Sequence, residues 1–253
     1  MKDVMSIKSP KLPVFLALDV KDLNTAKNLI TQYAHEFAGF KIGFGLYLKT
    51  HTQLFSQIKN EGGLLFVDLK IHDIPNTCFD AARTLAIQGA DFITVHALSG
   101  RSSIQAAVQG AAINPNTRVL AVTVLTSHNQ QDIQDVGLMM TNPNQANSIS
   151  AHVCNLAHMA MNEGVHGFIC SAQEAPMLNQ AFLKTPKKPV LICPGIRLLS
   201  HHKNNITEDQ RRIMTPAQAI AAGADYLVIG RPIIDSPVPQ EVLAEIKNQL
   251  LNM

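Results

Sequence analysis

Short apolar runs rich in Val, Ile, Leu and Phe alternate along the chain with longer segments in which apolar residues recur every three to four positions. A run bounded by polar residues suits a strand buried on both faces, and the longer period suits a helix with one apolar stripe. The pattern predicts strands at Val14–Leu18, Phe40–Gly43, Leu64–Leu69, Phe92–Val95, Val119–Val124, Gly167–Cys170, Val190–Cys193 and Tyr226–Ile229. It predicts helices at Leu23–Phe37, Leu46–Asn60, Pro75–Gln88, Ser102–Ile113, Ala146–Asn162, Gln173–Ala181, Pro216–Ala222 and Gln240–Leu250. Local chemistry supports several ends: Asp22 can cap the first helix, Thr215 precedes Pro216 at a helix start, and Gly223 stands where that helix should stop. Two stretches, Thr126–Asn144 and Arg197–Arg212, read as irregular loops following strands.

Eight strands each followed by a helix imply an α/β fold with a parallel sheet. An open doubly wound sheet would give a similar alternation, so the strand ends decide the architecture. Asp19, Lys41, Asp68 with Lys70, His96, Thr123, Ser171, Arg197 and Arg231 all fall at or just past the C-terminal edges of strands. Only closure brings the edges of the first and eighth strands around one pocket, which favours a single-domain (β/α)8 TIM barrel over residues 1–253, with 1–12 as an N-terminal extension.

Composition narrows the function classes. The 253 residues are 46% hydrophobic and 16% charged, enough apolar content for one large core. A net charge of +2 without basic runs interleaved with aromatics disfavours nucleic acid as a partner. The early apolar run Val14–Leu18 is far below the ~20 residues that span a bilayer, and no secretory signal is readable at the start, so a cytoplasmic protein without a membrane partner is expected. Cys78, Cys154, Cys170 and Cys193 are widely separated, which suits reduced thiols better than a disulfide framework or a zinc site.

The densest chemistry lies in Asp68-Leu69-Lys70-Ile71-His72-Asp73-Ile74-Pro75-Asn76-Thr77, where an apolar strand ends in ionisable groups. Side chains alternate along a strand, so Asp68 and Lys70 should point together into the barrel, with Lys41 beside them on the preceding strand. Charges buried in that pattern are weak stabilisers and better indicators of a site, although a rim ion pair would look the same in sequence, and Asp73 could simply cap the next helix. Gly230-Arg231 after the eighth strand offers backbone N–H groups and a guanidinium to an anion, and the polar loop 197–212 could fold over it. Gly43-Phe44-Gly45 lacks the third glycine of a dinucleotide fingerprint and reads as a tight connection; His201-His202 has no further ligand in metal spacing.

These residues together resemble the orotidine 5′-monophosphate decarboxylase family. The resemblance rests on Leu18-Asp19, Lys41-Ile42-Gly43, the Asp68–Thr77 string, Leu125-Thr126-Ser127, Cys170-Ser171-Ala172-Gln173-Glu174, Pro194-Gly195-Ile196-Arg197, Asp209-Gln210-Arg211-Arg212 and Gly230-Arg231-Pro232-Ile233. It spans nearly the whole chain. A sister group of the same barrel shares Asp-x-Lys but not the full string.

The resemblance implies loss of CO2 from orotidine 5′-phosphate to give UMP, the last step of de novo pyrimidine nucleotide synthesis, without metal or organic cofactor. It implies Lys70 as proton donor to C6, Asp68 and Lys41 as its charged neighbours, and Asp19 with Lys41 as ligands of the ribose hydroxyls. Asp73 and Thr77 would come from the partner in a homodimer. Ser127, with Thr126 beside it, would face the pyrimidine; Gln210, Arg231 and the Gly230 amide would hold the phosphate, and Arg197 would begin the closing loop. Two other functions compete: chemistry on a phosphorylated 3-keto sugar acid, which would need Mg2+ and a carboxylate set not found in the sequence, and a non-enzymatic nucleotide sensor, which would have no need of Lys41, Asp68, Lys70 and Asp73 together.

Overall fold

The computed structural model describes residues 11–138, 148–198 and 214–251. Eight parallel strands close into a barrel in sequence order: β1 (Leu12–Ala17), β2 (Phe37–Gly43), β3 (Leu64–Ile71), β4 (Phe92–His96), β5 (Arg118–Val122), β6 (Gly167–Ile169), β7 (Val190–Cys193) and β8 (Tyr226–Ile229). β8 pairs with β1, so the closure expected from the strand-end chemistry is present. Helices lie between them: α1 (Leu23–Tyr33), α2 (Phe44–Thr50), α3 (Phe55–Asn60), α4 (Pro75–Ile87), α5 (Arg101–Ala111), α6 (Gln130–Asp135), α7 (Ile149–Asn162), α8 (Ala175–Ala181), α9 (Pro216–Ala221), α10 (Arg231–Ile234) and α11 (Pro239–Leu251).

Three sequence expectations need correction. The single helix expected at Leu46–Asn60 is two, because His51 turns into the left-handed region (φ 47°) and ends α2. The loop after β5 contains α6, started by a capping box in which Asn129 and Asp132 each accept a hydrogen bond from the other's backbone N–H. Leu12 is already buried in β1, so the N-terminal extension is shorter than residues 1–12. The predicted caps are in place: Asp22 accepts from the Thr25 amide, Thr215 forms a capping box with Gln218, and Gly223 stops α9 at φ +96°.

Two apolar layers organise the molecule. The outward faces of the strands pack against the helices in one large core, while a smaller cluster fills the barrel interior. Its lower part is a plug of four rings, Phe15, Phe66, Phe92 and Tyr226. Phe15 lies at the centre, with ring centroids 5.3 Å from Phe66, 5.6 Å from Phe92 and 5.2 Å from Tyr226, and mostly edge-on or tilted contacts. Below the plug, acids serve backbone: Asp91 accepts the Leu65 amide at 2.7 Å and pairs with Lys59, and Asp225 accepts the Leu191 amide at 2.8 Å. Above it, the acids belong to the site.

Candidate active site

A pocket of about 510 Å³ opens at the C-terminal ends of the strands, with Phe66 of the ring plug in its lining. This is the face on which closed α/β barrels carry their chemistry. Around the rim, consecutive strands present charges in order: Arg197 after β7, Arg231 after β8, Asp19 after β1, Lys41 on β2, then Asp68 and Lys70 on β3. All six line the pocket, together with Thr126 and Gly230.

The centre of this array is Asp68, only 8% exposed. The Lys70 ammonium donates to both of its carboxylate oxygens at 2.9 Å, and Lys41 Nζ lies 4.0 Å from Oδ2. Lys41 in turn donates to Asp19 at 3.1 Å. The Asp19 side chain is 57% exposed, so this outer pair contributes little to stability and leaves Asp19 available to a ligand. Asp68 and Lys41 have given up much of their hydration, a cost that mutual attraction rarely does more than offset, while the Lys70 side chain stays 37% exposed to the pocket. The array is therefore better explained by the pocket than by the fold.

How Lys70 reaches Asp68 departs from simple alternation. Val67 pairs with Ile93 and Ile71 with Val95, so residues 68–70 of β3 stand opposite the single residue Thr94 of β4. Within this bulge Lys70 adopts φ 51°, and besides His51 it is the only non-glycine residue with positive φ among those described. An L-residue in that conformation carries about 1–2 kcal/mol of strain, and such strain concentrates at functional positions. Thr94, fully buried, fills the widened gap: its hydroxyl accepts from the Lys70 amide at 2.8 Å and donates to Asp68 Oδ1 at 3.0 Å. Sequence reasoning missed Thr94. Its signal is a polar residue in phase with Phe92 and His96, on the inner face of Phe92-Ile93-Thr94-Val95-His96.

Gly43 also has a role that the sequence did not reveal. A β-carbon there would lie 2.8 Å from Lys41 Nζ and 3.1 Å from Asp19 Oδ1, so its absence makes room for this pair. At Gly230 a β-carbon would come within 3.1 Å of the Ala17 β-carbon, which lets the chain after β8 run close over the end of β1. His96 does not line the pocket; its pKa is lowered to about 4, first by burial and then by the charges of His72, Lys70 and His128. His72 stacks on it at 5.5 Å. Thr123 and Ser171 are buried and likewise outside the lining.

The remaining predicted residues divide into three groups. Ser127 is exposed and outside the lining, next to Thr126, which is within it. Asp73 and Thr77 are exposed and outside the lining of their own pocket, on either side of Ile74, which is 66% exposed; Asp73 accepts from the adjacent Ile74 amide, but Ile74 is itself the N-cap of α4 and no side chain caps that helix, so the capping role open to Asp73 in the sequence is not the one it takes. Gln210 lies outside the described residues, as does 199–212 of the expected phosphate-closing loop. No group of three or more His, Cys, Asp or Glu among the described residues is arranged to hold a metal ion. No described helix is long and apolar enough to cross a membrane.

Known proteins resemble the chain over nearly its whole length. The family model described as orotidine 5′-phosphate decarboxylase / HUMPS matches residues 12–246. The chain belongs to that family. Among its relatives, the orotidine 5′-phosphate decarboxylase of Neisseria meningitidis is 37% identical over 244 residues, covering 96% of this chain and 94% of the relative. That of Vibrio cholerae is 37% identical over 240 residues, covering 94% and 98%. Within the orotidine 5′-phosphate decarboxylase / HUMPS family, the crystal structure of the Lactobacillus acidophilus decarboxylase superposes with a TM-score of 0.73 at 29% identity, covering 94% of this chain and 98% of that one. An uncharacterized conserved protein from Geobacillus kaustophilus gives 0.74 at 28% identity, covering 94% and 100%.

Proposed function

We propose that this protein decarboxylates orotidine 5′-phosphate to UMP and CO2, with Lys70 as the acid that protonates C6. The observation that carries the reading is the Lys41–Asp68–Lys70 array at the mouth of a barrel of this family: two ammonium groups flank one nearly buried carboxylate, 2.9 Å from Lys70 and 4.0 Å from Lys41. Family membership and relatives that carry the decarboxylase name support the substrate.

When the C6 carboxylate leaves as CO2, the electron pair of the broken C–C bond stays in an in-plane orbital at C6. A fixed ammonium beside that carbon stabilises the growing negative charge without reorganising, because it is already held in place by Asp68. Lys70 then gives C6 a proton, completing UMP, and regains one from solvent. The role of Asp68 in this scheme is to fix the ammonium, which donates to both of its carboxylate oxygens at 2.9 Å. None of these steps calls on a metal or an organic cofactor.

Binding is assigned to the rest of the rim. Asp19 and Lys41 accept and donate hydrogen bonds to the ribose hydroxyls, Thr126 and Ser127 meet the pyrimidine, and Arg231, the Gly230 amide, Arg197 and Gln210 hold the phosphate. Phosphate contacts far from the breaking bond can be used to organise the charged residues, raising the rate of the chemical step. Asp73 and Thr77 are assigned to the neighbouring site of a homodimer. Their exposure beside Ile74, outside the pocket of their own chain, supports that placement.

The test is direct. Purified protein with orotidine 5′-phosphate and excess chelator should lose the substrate's absorbance and release equimolar UMP and CO2. Stabilisation against heat by UMP with no substrate consumed would replace the enzyme reading with that of a nucleotide-binding protein.

A further inference from the structure

We infer that Thr94 is a positioning residue for Lys70, holding its backbone in the left-handed turn that aims the ammonium at the reacting carbon. The inference rests on the assignment of Lys70 as the acid, and it adds a residue that touches neither substrate nor product in that assignment.

The argument starts from the backbone. An extended Lys70 would continue the β3 ladder and point its side chain along the usual alternation; instead φ is 51°, and the pairing with β4 slips by two residues, between Val67–Ile93 and Ile71–Val95. A lysine does not hold that conformation by preference, so something must over-determine it. Inside the bulge the Lys70 N–H donates to the Thr94 hydroxyl at 2.8 Å, in place of a ladder carbonyl. The same hydroxyl donates its own proton to Asp68 Oδ1 at 3.0 Å.

One oxygen thus joins the main chain of the acid to the carboxylate that anchors its side chain. Lys70 is fixed at both ends, by Thr94 at its amide and by Asp68 at its ammonium, 2.9 Å away. The β-branched threonine has a stiff side chain, and Thr94 is fully buried, so the hydroxyl has little freedom to be elsewhere. Valine would match its shape but leave the Lys70 N–H without an acceptor and take one donor from Asp68. The turn would then relax toward regular strand and swing the ammonium off target, and a misplacement of an ångström is enough to cost on the order of a hundredfold in rate.

The test compares Thr94→Val, Thr94→Ala and Thr94→Ser with the unaltered protein, measuring kcat, KM for orotidine 5′-phosphate, affinity for UMP and the thermal midpoint. The expected result is a fall in kcat of about ten- to a hundredfold in Val and Ala, with KM and UMP affinity held within about threefold and Ser within a few-fold of the unaltered kcat. The Ser and Ala variants cover the case in which Val does not fold. Equal kcat in Ser and Ala, or a loss confined to KM, overturns the positioning role. Absence of turnover in the unaltered protein would instead overturn the decarboxylase assignment on which this one rests.

Discussion

The left-handed conformation of Lys70 can be weighed by replacing it with glycine and with alanine. Both substitutions delete the ammonium and leave Asp68 with Lys41 and Thr94, so the electrostatic change is common to the pair and cancels in their difference. What remains is backbone. In an ordinary strand glycine is about 0.5–1 kcal/mol worse than alanine, because its unfolded chain has more freedom to lose. At φ 51° alanine keeps the ~1–2 kcal/mol of strain that glycine escapes. The balance favours Lys70→Gly over Lys70→Ala by about 0.5–1 kcal/mol, a reversal of the usual order. For a chain of this size it corresponds to roughly 1–4 °C in the thermal midpoint. The assay is urea or thermal unfolding of both variants, with Arg118→Gly and Arg118→Ala on β5 as the control pair, where alanine should win. Neither Lys70 variant should decarboxylate orotidine 5′-phosphate. If Lys70→Ala is as stable as Lys70→Gly, the turn is not strained and the account of why the chain holds lysine there is wrong.

Other outcomes follow from the same geometry. Gly43→Ala would place a β-carbon 2.8 Å from the Lys41 ammonium, the movable end of a long side chain; the fold should survive, with stability changed by less than about 1 kcal/mol, while turnover falls by on the order of a hundredfold, and unchanged turnover would show that Lys41 has room to shift without consequence. Mixing inactive Lys70→Ala and Asp73→Ala chains should restore activity if each site draws Asp73 from its neighbour, since a hybrid dimer holds one complete site; no recovery after subunit exchange counts against the shared site. His96 titrates at about 4 in the folded protein, below the ordinary 6.5 of the unfolded chain, so the unfolded state binds more protons between those values and stability falls as pH drops through that window. His96→Asn, which keeps an acceptor for the Leu98 amide but does not titrate, should flatten the decline between pH 7 and 5; equal losses in both proteins would refute the assignment.

Much of the fold was legible because each strand is a run of apolar residues closed by a polar one, a pattern that survives whatever the neighbours do. β7 and β8 begin and end at the predicted residues. The His51 break was hidden, since nothing in Thr50-His51-Thr52 marks a left-handed turn. In the site, Asp19, Lys41, Asp68 and Lys70 stand out as charges where an apolar wall is expected, and the structure brings them together. The bulge was not legible: sequence alternation assumes an unbroken ladder, whereas the slip at Asp68–Lys70 depends on how β3 pairs with β4. Thr94 belongs to the same blind spot, because its value lies in what crosses the gap and not in its own run.

The ring plug of Phe15, Phe66, Phe92 and Tyr226 makes the barrel a cup and not a pipe. Among the described residues the rings close the lower end, so in the proposed reaction CO2 formed above them leaves upward, through the rim by which the nucleotide enters. Traffic in both directions is thereby placed under the control of a single doorway, and changes to that doorway can retime release without disturbing the vessel beneath it.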